Sequence, residues 1–180
     1  SVILQHMRIR EGQLHDIPSL VALDHAAYGV YGADKNYFQQ KFHSQHAKII
    51  ISEAEGHVTG FVVFKVMGPG QQLEGFSDLK ISDPITEKWM HIIAFTTATN
   101  FKDIKADSRL LQAAEHEARN LGCTLFCVPL SIDHPYIKND VFGFWEKNGY
   151  QKTGTIKWIA SPTETIDCYF YSKSAQENKV

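Results

Sequence analysis

The chain has 180 residues, with 18 Lys+Arg against 20 Asp+Glu and a formal net charge of -2. Hydrophobic residues at 43% and charged residues at 21% are ordinary globular values, which excludes a disordered tail or a collagen-like repeat. The near-neutral balance argues against a protein that grips nucleic-acid phosphates, so no nucleic-acid partner is expected.

Residues 1–6 lack the long apolar stretch of a signal peptide and read as an extension or cloning remnant ahead of a start at Met7. Residues 7–12 alternate apolar and polar, as a strand does. Asp16-Ile17-Pro18 is a helix start, with a capping acid and a proline in the first turn. Ile17, Leu20, Val21, Leu23 and Ala27 continue it to Tyr28-Gly29. A second helix is expected across 35–43, with Tyr37, Phe38 and Phe42 spent on the core. Lys48–Glu53 and Val58–Val66 are β-branched runs joined at Glu55-Gly56-His57, a tight hairpin. Residues 68–87, with Gly68-Pro69-Gly70, Gly75 and Pro84, read as a long loop.

Trp89–Thr97 returns to strand character. A helix follows from Ser108 to Leu121, with Leu110, Leu111, Ala114 and Ala118 on one face and Gly122 as its C-terminal cap. Thr124–Leu130 is a buried strand, and 136–147 a helix ending at Asn148-Gly149. Tyr150–Thr153, Thr155–Ala160 and Cys168–Ser172 close the chain as strands. Residues 7–172 then form one α/β domain, a mixed sheet with helices on both faces, and 173–180 a frayed tail. Three cysteines, Cys123, Cys127 and Cys168, are too few for a disulfide framework. Cys123 and Cys127 lack a second ligand pair for zinc and read as small buried hydrophobes, so no metal is expected. No apolar run approaches the ~20 residues that cross a bilayer, so no membrane partner is expected and the expected location is cytoplasmic.

The strand at 89–97, the helix after it and the strand at 124–130 form a crossover. Ligands of such units bind at the carboxyl end of the strand, against the helix N-terminus, which directs attention to residues 95–109. Three stretches then carry a resemblance. Met7-Arg8-Ile9-Arg10-Glu11 with Asp16-Ile17-Pro18-Ser19-Leu20 is one. Ser108-Arg109-Leu110-Leu111 through Glu117-Ala118-Arg119-Asn120-Leu121-Gly122-Cys123 is the second, and Phe144-Trp145-Glu146-Lys147-Asn148-Gly149-Tyr150 the third. In this order and spacing, from Arg8 to about Ser172, the chain resembles the GNAT superfamily of acyl-CoA-dependent N-acetyltransferases. The resemblance implies a mostly antiparallel sheet of about six to seven strands. It also implies acetyl-CoA as cosubstrate and a small-molecule or peptide amine as acceptor, in a monomer or a homodimer.

In that family the pyrophosphate of acyl-CoA rests on backbone N–H groups of a loop reading Arg/Gln-x-x-Gly-x-Gly/Ala. Aligned on Leu110-Leu111, this chain has Lys102-Asp103-Ile104-Lys105-Ala106-Asp107 there. The leading basic residue is kept and both small positions are lost, to Lys105 and Asp107. The implied cofactor contacts are Lys102, Lys105, Ala106, Asp107, Ser108 and Arg109. Asp107 also suits the N-cap of a helix starting at Ser108, and the three basic residues read equally as phosphate ligands or as a solvated loop.

The family polarises the thioester carbonyl with a strand N–H, here from Ile93, Ala94 or Phe95. It often protonates the departing thiolate with a tyrosine where this chain has Trp145, whose indole cannot act as that acid. Tyr136 and Tyr150 are the substitutes nearby, or packed aromatics. For the amine proton His91 and His134 are candidate bases, with a sheet-face residue and a turn beside Pro135 as their plain alternatives. Direct attack in a ternary complex is expected, since no nucleophile is positioned. The lost glycines and tyrosine also leave open a GNAT-like module that binds a small molecule or partner without catalysis.

Overall fold

The computed structural model describes residues 1–133 and 141–176. In chain order the elements are α1 (Val2–His6), β1 (Met7–Glu11), α2 (Ile17–Tyr28), α3 (Lys35–His43), β2 (Ala47–Ala54) and β3 (His57–Met67). They continue with β4 (Phe76–Ile81), β5 (Trp89–Thr97), α4 (Ile104–Asn120), β6 (Leu125–Ser131), α5 (Val141–Lys147), β7 (Gln151–Ser161) and β8 (Glu164–Ser174). The strands form one eight-stranded sheet in the order β1-β2-β3-β5-β6-β8-β7-β4. It is mixed and mostly antiparallel, and β5–β6 is a parallel pair. The chain divides into two compact units, Ser1–Lys65 with Ile93–His116, and Val66–Ile92 with Glu117–Val180.

In the first unit β2 is buried almost throughout, on both of its faces. Ile49, Ile51, Phe61 and Val63 share one face and pack with Ile17 and Leu20 of α2 and Phe38 of α3. Each such side chain contributes about 1.5–3 kcal/mol on burial. Gly60 serves the other face: a Cβ there would lie 3.0 Å from Leu110 of α4 and 3.2 Å from the Thr96 carbonyl oxygen. Only a residue without a side chain lets α4 come this close. The β2–β3 hairpin turns through Glu55 and Gly56, both left-handed at φ 52° and 79°. Such a two-residue turn matches the strand twist.

In the second unit Met67, Leu73, Trp89, Cys127, Ile156, Cys168 and Phe170 form the core. The parallel β5–β6 ladder holds three pairs and ends at His91↔Cys127. All three cysteines are buried and free of disulfides, and burial pushes the Cys127 thiol above its ordinary range. Helix α5 closes at Gly149, which holds φ 91° where the sequence places its stop.

Five expectations are corrected. The sheet has eight strands rather than six to seven. The 68–87 loop contains β4, paired with β7. Its alternation is hidden because Asp78 sits at φ 54° in a bulge between Ser77 and Lys80. The two strands expected across 150–160 are one, β7, whose register shifts between Lys152 and Gly154. Helix α4 begins at Ile104 rather than Ser108, because Asp103 accepts the Ala106 N–H at 3.2 Å and stops the helix first. Asp16 makes no side-chain cap for α2. Its carboxylate instead takes two N–H groups of Arg10, each at 2.8 Å, and the Gln13 N–H at 2.8 Å.

Candidate active site

Strand β5 is buried along its length except at Ile93 and Ala94, which are half-buried, and Phe95 beyond them is closed again. The Tyr28 hydroxyl, from α2, donates to the Phe95 carbonyl at 3.1 Å. One residue on, the Thr96 hydroxyl donates to Asp24 at 2.7 Å. The other carboxylate oxygen of Asp24 accepts the Ala33 N–H at 2.7 Å. Asp24 is 5% exposed, and burial raises its pKa above the usual carboxylate range. Its two donors are neutral, and no cation forms an ion pair with it among the described residues. Asp24 was missed in the sequence. The signal was there, since positions 17, 20, 24 and 28 make one helical stripe and a carboxylate interrupts its apolar run.

After Thr97 the chain turns through residues 98–103 into α4. Asn100 N–H donates to Thr97 O and Lys102 N–H to Thr99 O, each at 3.1 Å. Asn100 and Phe101 hold left-handed φ values of 52° and 66°. The Phe101 ring stacks on Phe95, with centroids 5.5 Å apart and planes 15° from parallel. Within the first turn of α4, the Ala106 N–H goes to the Asp103 carboxylate and the Asp107 N–H to the Asp103 carbonyl at 3.0 Å. Ile104 and Lys105 supply the other early N–H groups, which have no partner inside a helix. Lys102, Lys105 and Arg109 are exposed, Ser108 is half-buried and Ala106 is buried. A hydrogen bond from Ser1 is the largest reason that Asp103 stays below the usual carboxylate range, followed in the same direction by the Ala106 N–H.

Asp107 is not the helix cap. Its carboxylate turns inward, 4% exposed, and accepts the Thr97 hydroxyl at 3.1 Å and the Thr99 hydroxyl at 3.0 Å. Burial pushes its pKa up to about 6, against the opposing pull of the two hydroxyls. The structure therefore groups Ile93, Ala94, Phe95, Lys102, Lys105, Ala106, Asp107, Ser108 and Arg109 along one strand–turn–helix segment of the first unit.

The remaining candidates sit elsewhere. His91, in the second unit, is 2% exposed, with the rings of Phe76 and Trp89 at 5.2 and 5.5 Å. Tyr150 is 1% exposed, with Trp145 edge-on at 4.9 Å and the Lys173 ammonium 5.5 Å above its ring. Trp145 is itself buried. His134 and Tyr136 lie outside the described residues. The second unit also holds an open cleft of about 920 Å³, lined by Leu73, Phe76, Asp78, Trp89, Gly154 and Ile156. Among the described residues no group of His, Cys, Asp and Glu is gathered to hold a metal ion, and no helix is long and apolar enough to cross a membrane.

The sequence profile of the Acetyltransferase (GNAT) family matches residues 16–138. The chain belongs to this family, whose chemistry is acetyl transfer. Solved structures share the fold. The ribosomal-protein-S18-alanine N-acetyltransferase of Escherichia coli has a TM-score of 0.65 at 8% identity, over 97% of this chain and 99% of that one. The ribosomal-protein-alanine N-acetyltransferase of Brucella melitensis also gives 0.65, at 18% identity, over 93% and 99%. The yncA protein of Salmonella typhimurium, solved with its cofactor acetyl-CoA, gives 0.63 at 15% identity over 97% of each chain. No curated protein matches the sequence.

Proposed function

We propose that this chain transfers an acetyl group from acetyl-CoA to an amine, by direct attack while both substrates are bound. The observation that carries the reading is the place of Ile93–Phe95 on β5, after the last β5–β6 pair and before the turn into α4. Ile93 and Ala94 are half-buried in an otherwise closed strand, directly after the parallel ladder stops at His91. A backbone N–H of this stretch of β5 is assigned as the donor to the thioester carbonyl. In a site shielded from water it stabilises the negative charge that gathers on that oxygen during attack. The residues at 93–95 are assigned this role.

The start of α4 fits the pyrophosphate. Ile104 and Lys105 offer early N–H groups with the positive end of the helix dipole behind them. Lys102, Lys105 and Arg109 are exposed cations on the same turn and helix start, and the Asp107 carboxylate is turned inward onto hydroxyls. Ala106 and Ser108 belong to the same first turns, as packing rather than as ligands. Acetyl-CoA, once bound, supplies the activated acetyl thioester.

An amine acceptor is supported by Asp24, a buried carboxylate that has only neutral donors and stands beside Thr96, next to Phe95. An ammonium group held near Thr96 would favour the charged form of Asp24, which burial otherwise disfavours. A small molecule or a peptide both meet this requirement, in a monomer or a homodimer. His91 and Tyr150 are enclosed by rings and are assigned to packing, which leaves His134 and Tyr136 as the sequence candidates for moving protons. The competing reading, a GNAT-like binding module, is favoured by one observation: the buried Trp145 at the family's tyrosine position.

Calorimetric titration with acetyl-CoA tests the proposal. Binding in the micromolar range is expected, with a marked dependence on salt. No binding at millimolar cofactor sinks it. Turnover with simple primary amines separates the enzyme from the module, which binds without releasing CoA.

A further inference from the structure

Resting on that reading of the β5–α4 segment, we infer that Asp107 is a positioning residue: it braces the turn at 98–103 with a carboxylate where the family's loop relies on glycines. A glycine-rich loop curves tightly around a phosphate because its backbone reaches conformations closed to other residues. This turn reaches them without glycine, at Asn100 and Phe101, and such residues persist there only when their surroundings hold them.

Several bonds link the strand, the turn and the helix. Thr97 ends β5 and Thr99 lies in the turn; both hydroxyls donate to Asp107, one turn inside α4. The Thr97 oxygen in turn accepts the Phe101 N–H at 3.4 Å, and the Phe101 ring lies on Phe95. A single carboxylate thus ties the strand end, the turn and the helix start together, and so fixes where the Ile104 and Lys105 N–H groups point. It does this from the inner side, with two neutral hydroxyls as its partners, so its charge is not presented at the surface where Lys102, Lys105 and Arg109 stand. Asp107 touches no substrate in this scheme. It acts on binding through the shape of the turn.

The test compares affinity for CoA with affinity for pantetheine, which lacks the pyrophosphate. Asp107→Ala should weaken CoA binding by about tenfold or more, the effect of losing a charge-assisted hydrogen-bond pair, and leave pantetheine binding as it was. Asp107→Asn, which still accepts a hydroxyl, should recover most of the loss. Thr99→Val, a milder change that keeps the fold if Asp107→Ala does not, should cost about threefold. The brace is overturned if Asp107→Ala binds CoA like wild type, or loses CoA and pantetheine equally, as a general loss of structure would. Wild-type protein that binds neither ligand overturns the acyl-CoA reading instead. The two failures are told apart by backbone amide exchange at residues 100–105 without ligand. Faster exchange in Thr99→Val supports the brace, and unchanged exchange overturns it.

Discussion

Two junctions of the first unit bury an aspartate to the same extent, and the two carboxylates answer to pH in opposite directions. Where β1 leads to α2, Asp16 is 4% exposed and receives two N–H groups of Arg10 at 2.8 Å. That guanidinium holds the carboxyl below its usual range. Where β5 leads to α4, Asp107 is also 4% exposed, but its donors are the hydroxyls of Thr97 and Thr99, and its pKa rises to about 6. Desolvation raises both carboxyls; it prevails at Asp107, where hydroxyls oppose it, and yields at Asp16, where a guanidinium does. The paired aspartate works as a fixed structural tie. The hydroxyl-bound one titrates within reach of neutral pH, at the segment assigned to the cofactor.

The contrast breaks most visibly at Asp16. Asp16→Ala leaves Arg10 with Glu53 as its remaining acidic partner at 3.1 Å and should destabilise the protein by about 3 kcal/mol in urea unfolding. A loss below about 1 kcal/mol would mean that the ion pair is a surface contact in disguise. The pH dependence comes next. The depressed Asp16 pKa gives stability that is present above the unfolded carboxylate value of about 4 and is lost as pH falls through the folded value. For Asp107 the sign reverses, because the folded state holds the proton more tightly than the unfolded state. Its contribution is most favourable below about pH 4 and declines as pH rises through 6. Relative to Asp107→Asn, wild-type stability should therefore fall by on the order of 2 kcal/mol between pH 4 and pH 7. A flat difference across that range would refute the assignment.

Smaller effects sharpen the same picture. Thr99→Val removes one of the two hydroxyls on Asp107 and should lower stability by about 1 kcal/mol. Replacing Lys102 and Lys105 together by Ala should leave stability within about 0.5 kcal/mol, since both are exposed. The same double replacement should weaken CoA binding and flatten its salt dependence. Unchanged affinity would show that these lysines only solvate the turn.

Much of this was legible in the sequence, and what was not has particular causes. Helix α3 and strand β5 fall on the expected residues, and the hairpin turns at Glu55-Gly56, because period, cap and turn chemistry all agree there. The start of α4 was misplaced because the sequence offers two capping aspartates four residues apart. Only the fold shows that Asp103 caps and Asp107 turns inward. Strand β7 was read as two because Gly154 and a register shift interrupt its alternation. A Cβ at Gly154 would collide with the Lys80 carbonyl oxygen, a close approach between β4 and β7 that no local pattern announces. In the candidate site, the strand–turn–helix segment was found from the crossover and the family stretches. Asp24 was not, since a lone carboxylate in an apolar stripe gains meaning only when Thr96 and Ala33 are seen against it.

Strand β4 ends the sheet, and its irregularity bears on how copies of this protein meet. A terminal strand offers a row of backbone groups to which another chain can add, and long flat edges invite stacking into fibrils. Here the edge is six residues long, interrupted at Asp78, and carries Lys80. Such a short, kinked and charged border gives an approaching strand no continuous register to match. The feature that hid β4 from a reading of the sequence is thus the one that keeps this end of the sheet from templating aggregates.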